Sequence, residues 1–275
     1  MPGQYIVNGK FYSELQPSIS PENRSYRYGD GLFETIRMAN GKLPLWELHW
    51  QRLTAGLQTL HIPAPKLFTS SSILDQIMQL CSKNDFVNAR IRINVSRGDG
   101  GILEQSSNLH YSIQTWNLEE PVPKFNENGL SLGIFDGGRK SMDHLSNLKS
   151  NSYLIYVMAA LYAKEFKFND AIVLNTEGRA VDSSIANIFW VKDSEIYTPP
   201  KTEGPVAGVM RSFLSQQIPI KENPLDIETI RTADEMFITN AIRGIQWVAS
   251  VEETSFHSCL VSENLYHKFI RPLFS

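Results

Sequence analysis

Strict alternation of apolar and polar residues marks one stretch of the chain. From Val87 to Val95 every second residue is apolar, and Arg90 and Arg92 stand among the polar residues between them. Successive side chains of a β-strand point to opposite faces, so this pattern predicts a strand over residues 87–97 with one buried and one polar face. A second alternating strand is expected over 109–115.

Helical spacing predicts the helices. From Trp46 to Leu60 apolar residues recur every three or four positions, and the pattern ends before Pro63. Further helices are expected over 71–82, 150–164, about 209–216, and from Ser262 onwards.

Two Asn-Gly pairs predict tight hairpin turns, because both residue types accept the positive φ angles that such turns require. Asn8-Gly9 separates residues 5–7 from 10–12, and Asn40-Gly41 separates 33–38 from 42–45. The remaining strands are expected over 130–136, 170–174, 179–183, 186–192, 195–198 and 235–239, with a turn at 175–178.

Mixed strands and helices without regular alternation predict an α+β fold, here a two-domain α/β chain. Residues 117–123 are acidic and contain two prolines, which is typical of a linker. We therefore expect an N-terminal domain over 1–116, a linker over 117–128 and a C-terminal cofactor-binding domain over 129–275.

Composition narrows the class of protein. The chain has 275 residues, of which 42% are hydrophobic, a formal net charge of −3 and two cysteines. A basic surface for nucleic acid and a disulfide scaffold are therefore not expected. No signal peptide is visible, and the longest apolar run, residues 153–163, is too short to cross a bilayer. These features favour a cytoplasmic protein without a membrane partner.

Two residues carry candidate chemistry in the second half of the chain. Lys149 precedes an apolar stretch, and Asp182 follows 33 positions later, five residues before Asn187-Ile188-Phe189. A lysine in such a place is usually a surface residue whose stem lies along apolar groups. An amine and a carboxylate are also what pyridoxal phosphate needs, one for covalent attachment and one to keep its ring nitrogen protonated.

Three further segments suit the binding of an anion or of a cofactor. Gly29-Asp30-Gly31 begins like a dinucleotide fingerprint, but Glu34 replaces the third glycine. His49-Trp50-Gln51-Arg52-Leu53 places a guanidinium on the first predicted helix, and Gly208 opens a later helix, whose free amides favour an anion. No metal site is expected, because neither His-Glu-x-x-His nor a paired cysteine spacing occurs.

Together these segments resemble the class IV (fold-type IV) pyridoxal-phosphate enzymes. That family includes branched-chain aminotransferases, D-amino-acid aminotransferases and aminodeoxychorismate lyases. The matching segments are residues 24–34, 49–53, 148–154, 182–191 and 204–211, in the family's order. The resemblance implies a D-amino-acid-aminotransferase-like fold and pyridoxal 5'-phosphate as cofactor.

The resemblance also implies roles for individual residues. Lys149 becomes the catalytic Schiff-base lysine, and Asp182 faces the pyridine nitrogen, where the family usually has glutamate. The phosphate contacts fall to Arg52, to the amides of Val209 and Met210, and to Asn240. Tyr153 stands one position earlier than the tyrosine that branched-chain enzymes place near the cofactor's phenolic oxygen, so a cofactor contact and core packing are equal alternatives.

Substrate carboxylates require cationic or hydroxyl partners. The candidate substrate residues are Arg24, Tyr26, Glu34, Arg90 and Arg92, and the two arginines of the predicted strand 87–97 rank first because they share its polar face. This pair favours transfer of an amino group between an amino acid and a 2-oxo acid. The alternative is an aminodeoxychorismate lyase, which residues 96–101 and 206–211 resemble more closely. A third reading, a cofactor-binding relative without turnover, is opposed by the intact Lys149 and Asp182. The resemblance implies a homodimer.

Overall fold

The computed structural model describes residues 3–13, 16, 19–104 and 108–275. Two compact units account for the chain. Unit 1 comprises Met1–Pro121, Lys149–Ser152 and Phe274–Ser275, and unit 2 comprises Val122–Leu148 and Tyr153–Leu273. The short lysine-bearing segment therefore clusters with unit 1, whereas the expected division into domains at residues 117–128 stays a prediction.

Unit 1 is built on an antiparallel sheet with one face covered by helices. Within the described residues the sheet has five strands in the order β2-β1-β5-β4-β3. Its buried face carries Ile36, Ile91 and Ile113, each 0% exposed. The elements are β1 Gln4–Val7, β2 Lys10–Ser13, α1 Arg24–Tyr28, β3 Gly31–Met38, α2 Trp46–Thr59, α3 Ser70–Lys83, β4 Ala89–Ser96 and β5 His110–Asn117.

Unit 2 contains a sheet that closes on itself. Strands β9, β12, β13, β6, β7 and β8 pair in that order, and a pairing of Asp182 in β8 with Asn187 in β9 completes the ring. The strands are β6 Leu130–Lys140, β7 Asp170–Asn175, β8 Ala180–Ser183, β9 Asn187–Lys192, β10 Glu195–Thr198, β11 Lys221–Glu222, β12 Glu235–Asn240, β13 Gly244–Val251 and β14 Thr254–Ser255.

Helices and a buried apolar cluster complete unit 2. Ile172, Ile188, Trp190, Met236 and Val248 lie in that cluster, each at most 1% exposed. The helices are α4 Leu154–Glu165, a 3-10 turn Lys201–Glu203, α5 Val209–Gln217, α6 Ile227–Thr232, α7 Leu260–Leu265, a π-helical turn Tyr266–Ile270 and α8 Arg271–Phe274. No described helix has the length and apolar character needed to cross a membrane.

Most periodic segments form the predicted elements, and the mixed α+β fold class is confirmed. β4 buries Ala89, Ile91 and Ile93 completely, as the alternation requires. Asn8 and Gly9 have φ angles of 48° and 81° and connect β1 to β2, so the predicted hairpin is confirmed.

Three differences have local causes. Asn40-Gly41 forms its turn, but a single bridge from Ala39 to Lys42 replaces the strand expected over 42–45, because α2 begins at Trp46. The helix expected over 150–164 begins only at Leu154, since Ser150 pairs with Leu32 in an extended conformation. The patterns also missed α1, α6 and the eight-residue strand β13.

Candidate active site

Lys149 lies in an extended segment that runs beside β3 in unit 1. The N–H of Phe33 donates to the carbonyl of Lys149 at 2.9 Å, and the N–H of Asn151 donates to the carbonyl of Gly31 at 2.9 Å. The Lys149 ammonium lies 4.5 Å from the centroid of the Phe33 ring. Since main chain and side chain are both held against β3, tertiary contacts rather than a helix position this amine.

A charged cluster is buried between β3 and α2. Arg52 donates from Nε to Glu34 Oε1 at 2.7 Å and from Nη2 to Oε2 at 2.5 Å, and His49 Nδ1 lies 2.6 Å from the same Oε2. Burial raises the pKa of Glu34, but the Arg52 and His49 contacts outweigh it and lower this pKa to about 2. Burial lowers the pKa of His49, and Glu34 opposes that effect only in part.

This cluster changes how Glu34 is interpreted. Its side chain is 2% exposed, and both carboxylate oxygens already accept hydrogen bonds. Glu34 sits opposite Ile93 in the β3–β4 register, so it points to the helix-covered face of the sheet rather than to the polar face. We therefore assign Glu34 to the orientation of Arg52, in place of the substrate contact expected from the sequence.

The other early candidates, Arg24 and Tyr26, differ in their surroundings. Arg24 is buried, donates from Nε to Asp30 Oδ2 at 2.8 Å and contacts carbonyl groups of residues 101–104. The Tyr26 side chain is 77% exposed. Arg24 therefore anchors a loop, whereas Tyr26 is available to a ligand.

A groove of about 800 Å³ lies over the polar face of β4 and β5. Arg92 lines it, with its guanidinium carbon 4.0 Å from the centroid of Phe33. Arg90 stands instead over the exposed Trp116 ring, at 4.5 Å from the centroid, so the two arginines do not share one site. The lining residues are Tyr5, Gln16, Ile19, Asn23, Ser25, Tyr26, Arg92, Asn94, Val95, Ser96, His110, Ser112, Gln114 and Asn151.

Asp182 occupies the point where the ring of strands in unit 2 closes. Its Oδ2 accepts from the hydroxyl of Tyr156 at 2.7 Å and from the N–H of Val206 at 2.9 Å, and its Oδ1 accepts from Asn187 Nδ2 at 2.8 Å. Burial raises the pKa of Asp182 despite these donors and the nearby Lys140. A further positive charge near this carboxylate would therefore be strongly favoured.

The N-terminus of α5 forms a compact cradle in unit 2. Gly208 precedes the helix without a capping side chain, so the first amides, those of Val209 and Met210, have no partner inside the helix. A Cβ atom at Gly208 would lie 1.7 Å from Asn187 Oδ1, so only glycine fits there. Asn187 thus contacts both the carboxylate and the cradle.

Tyr153 and Asn240 both have structural partners. The Tyr153 ring stacks on Tyr156 with centroids 4.4 Å apart. Asn240 Oδ1 accepts from the N–H groups of Ile242 at 3.0 Å and Arg243 at 2.8 Å, which shapes the turn after β12. Their contacts with a cofactor stay predictions.

These features fit the functional groups of pyridoxal phosphate. The uncapped helix N-terminus suits a phosphate, and the Thr239 hydroxyl nearby along β12 is buried without a hydrogen-bond partner among the described residues. Asp182 Oδ1 accepts one bond, which leaves acceptor capacity for a protonated ring nitrogen. Lys149 supplies a positioned primary amine. Within the part of the chain that the structure describes, no cluster of three metal-ligating side chains occurs.

Sequence reasoning overlooked three residues that hold Asp182. Tyr156 and Lys140 carried no motif signal of their own, since each acts through a contact with a residue that is distant along the chain. Asn187 did have a signal, because it opens the Asn-Ile-Phe strand five residues after Asp182.

Comparison with known proteins is consistent with this arrangement. The family model for amino-transferase class IV matches residues 31–251. The chain is similar to an aminodeoxychorismate lyase from Vibrio harveyi, with 30% identity over 244 residues that cover 86% of this chain and 88% of the relative. It is also 29% identical over 264 residues to a putative branched-chain-amino-acid aminotransferase from Methanocaldococcus jannaschii, covering 94% and 91%.

Solved structures share the fold. A putative 4-amino-4-deoxychorismate lyase from Legionella pneumophila superposes with a TM-score of 0.83 at 25% identity, covering 92% of this chain and 95% of the other. A branched-chain amino acid aminotransferase from T.th., solved with pyridoxamine 5'-phosphate, has a TM-score of 0.88 at 18% identity, covering 100% and 95%.

Proposed function

We propose that this chain, which belongs to the amino-transferase class IV family, is an aminodeoxychorismate lyase that releases pyruvate from its substrate. The observation that carries the proposal is the groove of unit 1. About 800 Å³ is ample for a ring-bearing dicarboxylate, and the groove contains one arginine, Arg92, among mostly neutral polar side chains. The lyase from Vibrio harveyi supports the same conclusion.

The structure weakens the argument that favoured amino transfer. That expectation relied on Arg90 and Arg92 together as a carboxylate site for both donor and acceptor. Arg90 stacks on Trp116 and does not line the groove. A substrate that carries its own leaving group needs no second keto acid, so a single binding mode is sufficient.

The family binds pyridoxal phosphate, which, when bound, withdraws electrons from the carbon that carries the substrate's amino group. Lys149 is the residue that attaches it, and Lys149 Nζ removes the proton from that carbon. Asp182 pairs with the protonated ring nitrogen. Arg52 and the amides of Val209 and Met210 hold the phosphate. Arg92 orients a substrate carboxylate.

A direct assay tests the reaction. Purified protein is mixed with aminodeoxychorismate in the absence of a keto acid, and pyruvate is measured. We expect catalytic pyruvate formation and no loss of the cofactor's visible absorption band when D- and L-amino acids are added alone. Bleaching of that band by an amino acid, with recovery after addition of 2-oxoglutarate or pyruvate, would replace the lyase by a transaminase. Absence of both reactions would indicate a relative without turnover.

Amino transfer is the second candidate, and one observation favours it. The Lys149 ammonium and the Arg92 guanidinium both approach the Phe33 ring, at 4.5 and 4.0 Å from its centroid. An amine and a guanidinium so close together suit an α-amino acid, whose carboxylate lies next to the reacting carbon. The relative from Methanocaldococcus jannaschii supports this reading.

We further propose that a second copy of the chain covers one face of α4. Leu154, Val157, Met158 and Leu161 recur at helical spacing and are between 45% and 71% exposed. Such a stripe is costly to leave in water, and a homodimer would bury it. Light scattering of Leu161→Glu should show a monomer, whereas Lys164→Gln, an exposed polar change on the same helix, should remain dimeric. A monomeric parent protein would exclude this assignment.

A further inference from the structure

A second lysine, Lys140, is buried beside the carboxylate of unit 2. It ends β6, its side chain is 9% exposed, and its Nζ lies 3.5 Å from Asp182 Oδ2. The same ammonium donates to the carbonyl of Ser146 at 2.7 Å. Burial of a charged amine is costly, so a residue of this kind needs a specific counter-charge.

The donors around Asp182 are distributed unequally between its two oxygens. Oδ2 accepts from Tyr156 and the Val206 amide and faces Lys140, whereas Oδ1 accepts only from Asn187 among the described residues. A carboxylate oxygen can accept two hydrogen bonds. The arrangement therefore fixes the rotation of the carboxylate and leaves Oδ1 as the acceptor for an incoming cation.

Few charged or titratable groups act on this pair. Tyr156 on α4 keeps its proton, because burial and the neighbouring Asp182 hold its pKa well above its usual value, and Tyr153 stacks on it. Asp143, in the loop after β6, adds a weaker attraction for Lys140. Asn187 and the Val206 amide are neutral. Lys140 is thus the main positive charge that opposes protonation of Asp182.

We propose that Lys140 is a positioning residue that keeps Asp182 ionised and correctly oriented before the cofactor binds, so that a protonated pyridine ring meets a carboxylate rather than a carboxylic acid. The proposal rests on cofactor binding by the family and not on which reaction follows. It gives this chain, which has aspartate at this position, a second residue that controls the ring nitrogen.

The first test measures binding without chemistry. Pyridoxine 5'-phosphate has no aldehyde, so its dissociation constant for the cofactor-free protein reports ring and phosphate contacts alone. We expect Lys140→Met to weaken binding at pH 7 by about tenfold relative to the parent protein, and the ratio to approach one by about pH 9, where Asp182 ionises unaided. Lys140→Arg should behave like the parent protein. A loss that is independent of pH would show that Lys140 only fills space.

The second test measures unfolding of the cofactor-free protein. Lys140→Met leaves a buried carboxylate without its counter-charge, so the midpoint of thermal unfolding should fall by roughly 5–10 °C at pH 7 and recover towards pH 5, as Asp182 takes up a proton. Stability and affinity therefore change with pH in opposite directions. A merely structural lysine would produce neither trend.

The Asp182→Asn background keeps the test decisive if Lys140→Met alone does not fold. The double variant Lys140→Met/Asp182→Asn has no buried charge left and should fold with little dependence on pH. Asp182→Asn alone leaves Lys140 without a counter-charge, so its unfolding midpoint should rise with pH. Equal pH profiles for these two variants would overturn the proposal. Failure of the parent protein to bind pyridoxine 5'-phosphate would instead contradict the cofactor assignment.

Discussion

Glu34 in unit 1 and Asp182 in unit 2 are both buried carboxylates, yet their pKa values shift in opposite directions. Glu34 meets the planar fork of Arg52 at 2.5 and 2.7 Å and His49 at 2.6 Å, and its pKa falls to about 2. Asp182 meets one ammonium at 3.5 Å and otherwise neutral donors, so burial dominates and its pKa rises.

The difference shows what two-oxygen pairing with a guanidinium achieves. Charge-assisted bonds to both oxygens of Glu34 fix it as an anion, which in turn fixes Arg52. Asp182 has incomplete charge compensation, so its ionisation depends on which further cation approaches it. Glu34 therefore belongs to a structural cluster, whereas Asp182 has the properties of a binding group.

The largest expected effect removes an amine that neither carboxylate cluster can replace. Lys149→Ala should abolish the visible absorption band of the bound cofactor and reduce turnover by at least about a thousandfold, since attachment and proton transfer both use this nitrogen. Spectroscopy and the pyruvate assay measure the two effects. Lys164→Ala, at an exposed lysine of α4, is the matched control and should retain both. A variant with band and turnover intact would refute the central assignment.

The next prediction tests whether Asp182 is the adjustable carboxylate. Asp182→Ala should retain cofactor through the phosphate contacts but lose about a hundredfold or more in turnover, because the ring nitrogen loses its counter-charge. Steady-state kinetics with saturating pyridoxal phosphate separate the two effects. Asp136→Asn, at a side chain that is 77% exposed, serves as control. Near-normal turnover would transfer the role to another acid.

A smaller effect should identify Glu34 as the fixed carboxylate. A fall in pKa from 4.5 to about 2 corresponds to about 3 kcal/mol of folding stability at neutral pH. Because the pKa is lowered in the folded state, this contribution is present above pH 4.5 and is lost as the pH falls towards 2. Urea unfolding should thus show Glu34→Gln less stable at pH 7, with a smaller difference at pH 3.

Glu22→Gln provides the comparison for that measurement. Glu22 is 65% exposed and pairs loosely with Arg27 at 3.6 Å, so its replacement should change the free energy of unfolding little at either pH. Equal effects of the two substitutions would remove the distinction between the buried cluster and a surface pair.

The smallest effect concerns the partner of Glu34. Arg52→Ala should weaken affinity for pyridoxal phosphate by roughly ten- to a hundredfold, the equivalent of one charge-assisted hydrogen bond, and added cofactor should restore activity in part. Cofactor titration by absorbance measures this. Arg231→Ala, at an exposed arginine of α6, should have no effect. Unchanged affinity would leave Arg52 with a purely structural role beside Glu34.

Local patterns predicted much of the backbone. α2 and β4 were visible because burial of one face imposes a spacing on the sequence, and the turn at Asn8-Gly9 was visible because its φ angles require those residue types. α1 was missed since five residues are too few to show a period, and its cap, Asn23, has no distinctive spacing.

The sequence by itself determined which chemical groups are available: the amine of Lys149, the carboxylate of Asp182, the guanidinium of Arg52 and a helix that opens at Gly208. Tertiary structure decided what each group contacts. It turned Glu34 towards Arg52, separated Arg90 from Arg92 and placed Lys140 beside Asp182. Periodicity and motifs constrain neighbours along the chain, whereas these contacts join distant residues, and their geometry is set by how strands and helices pack together.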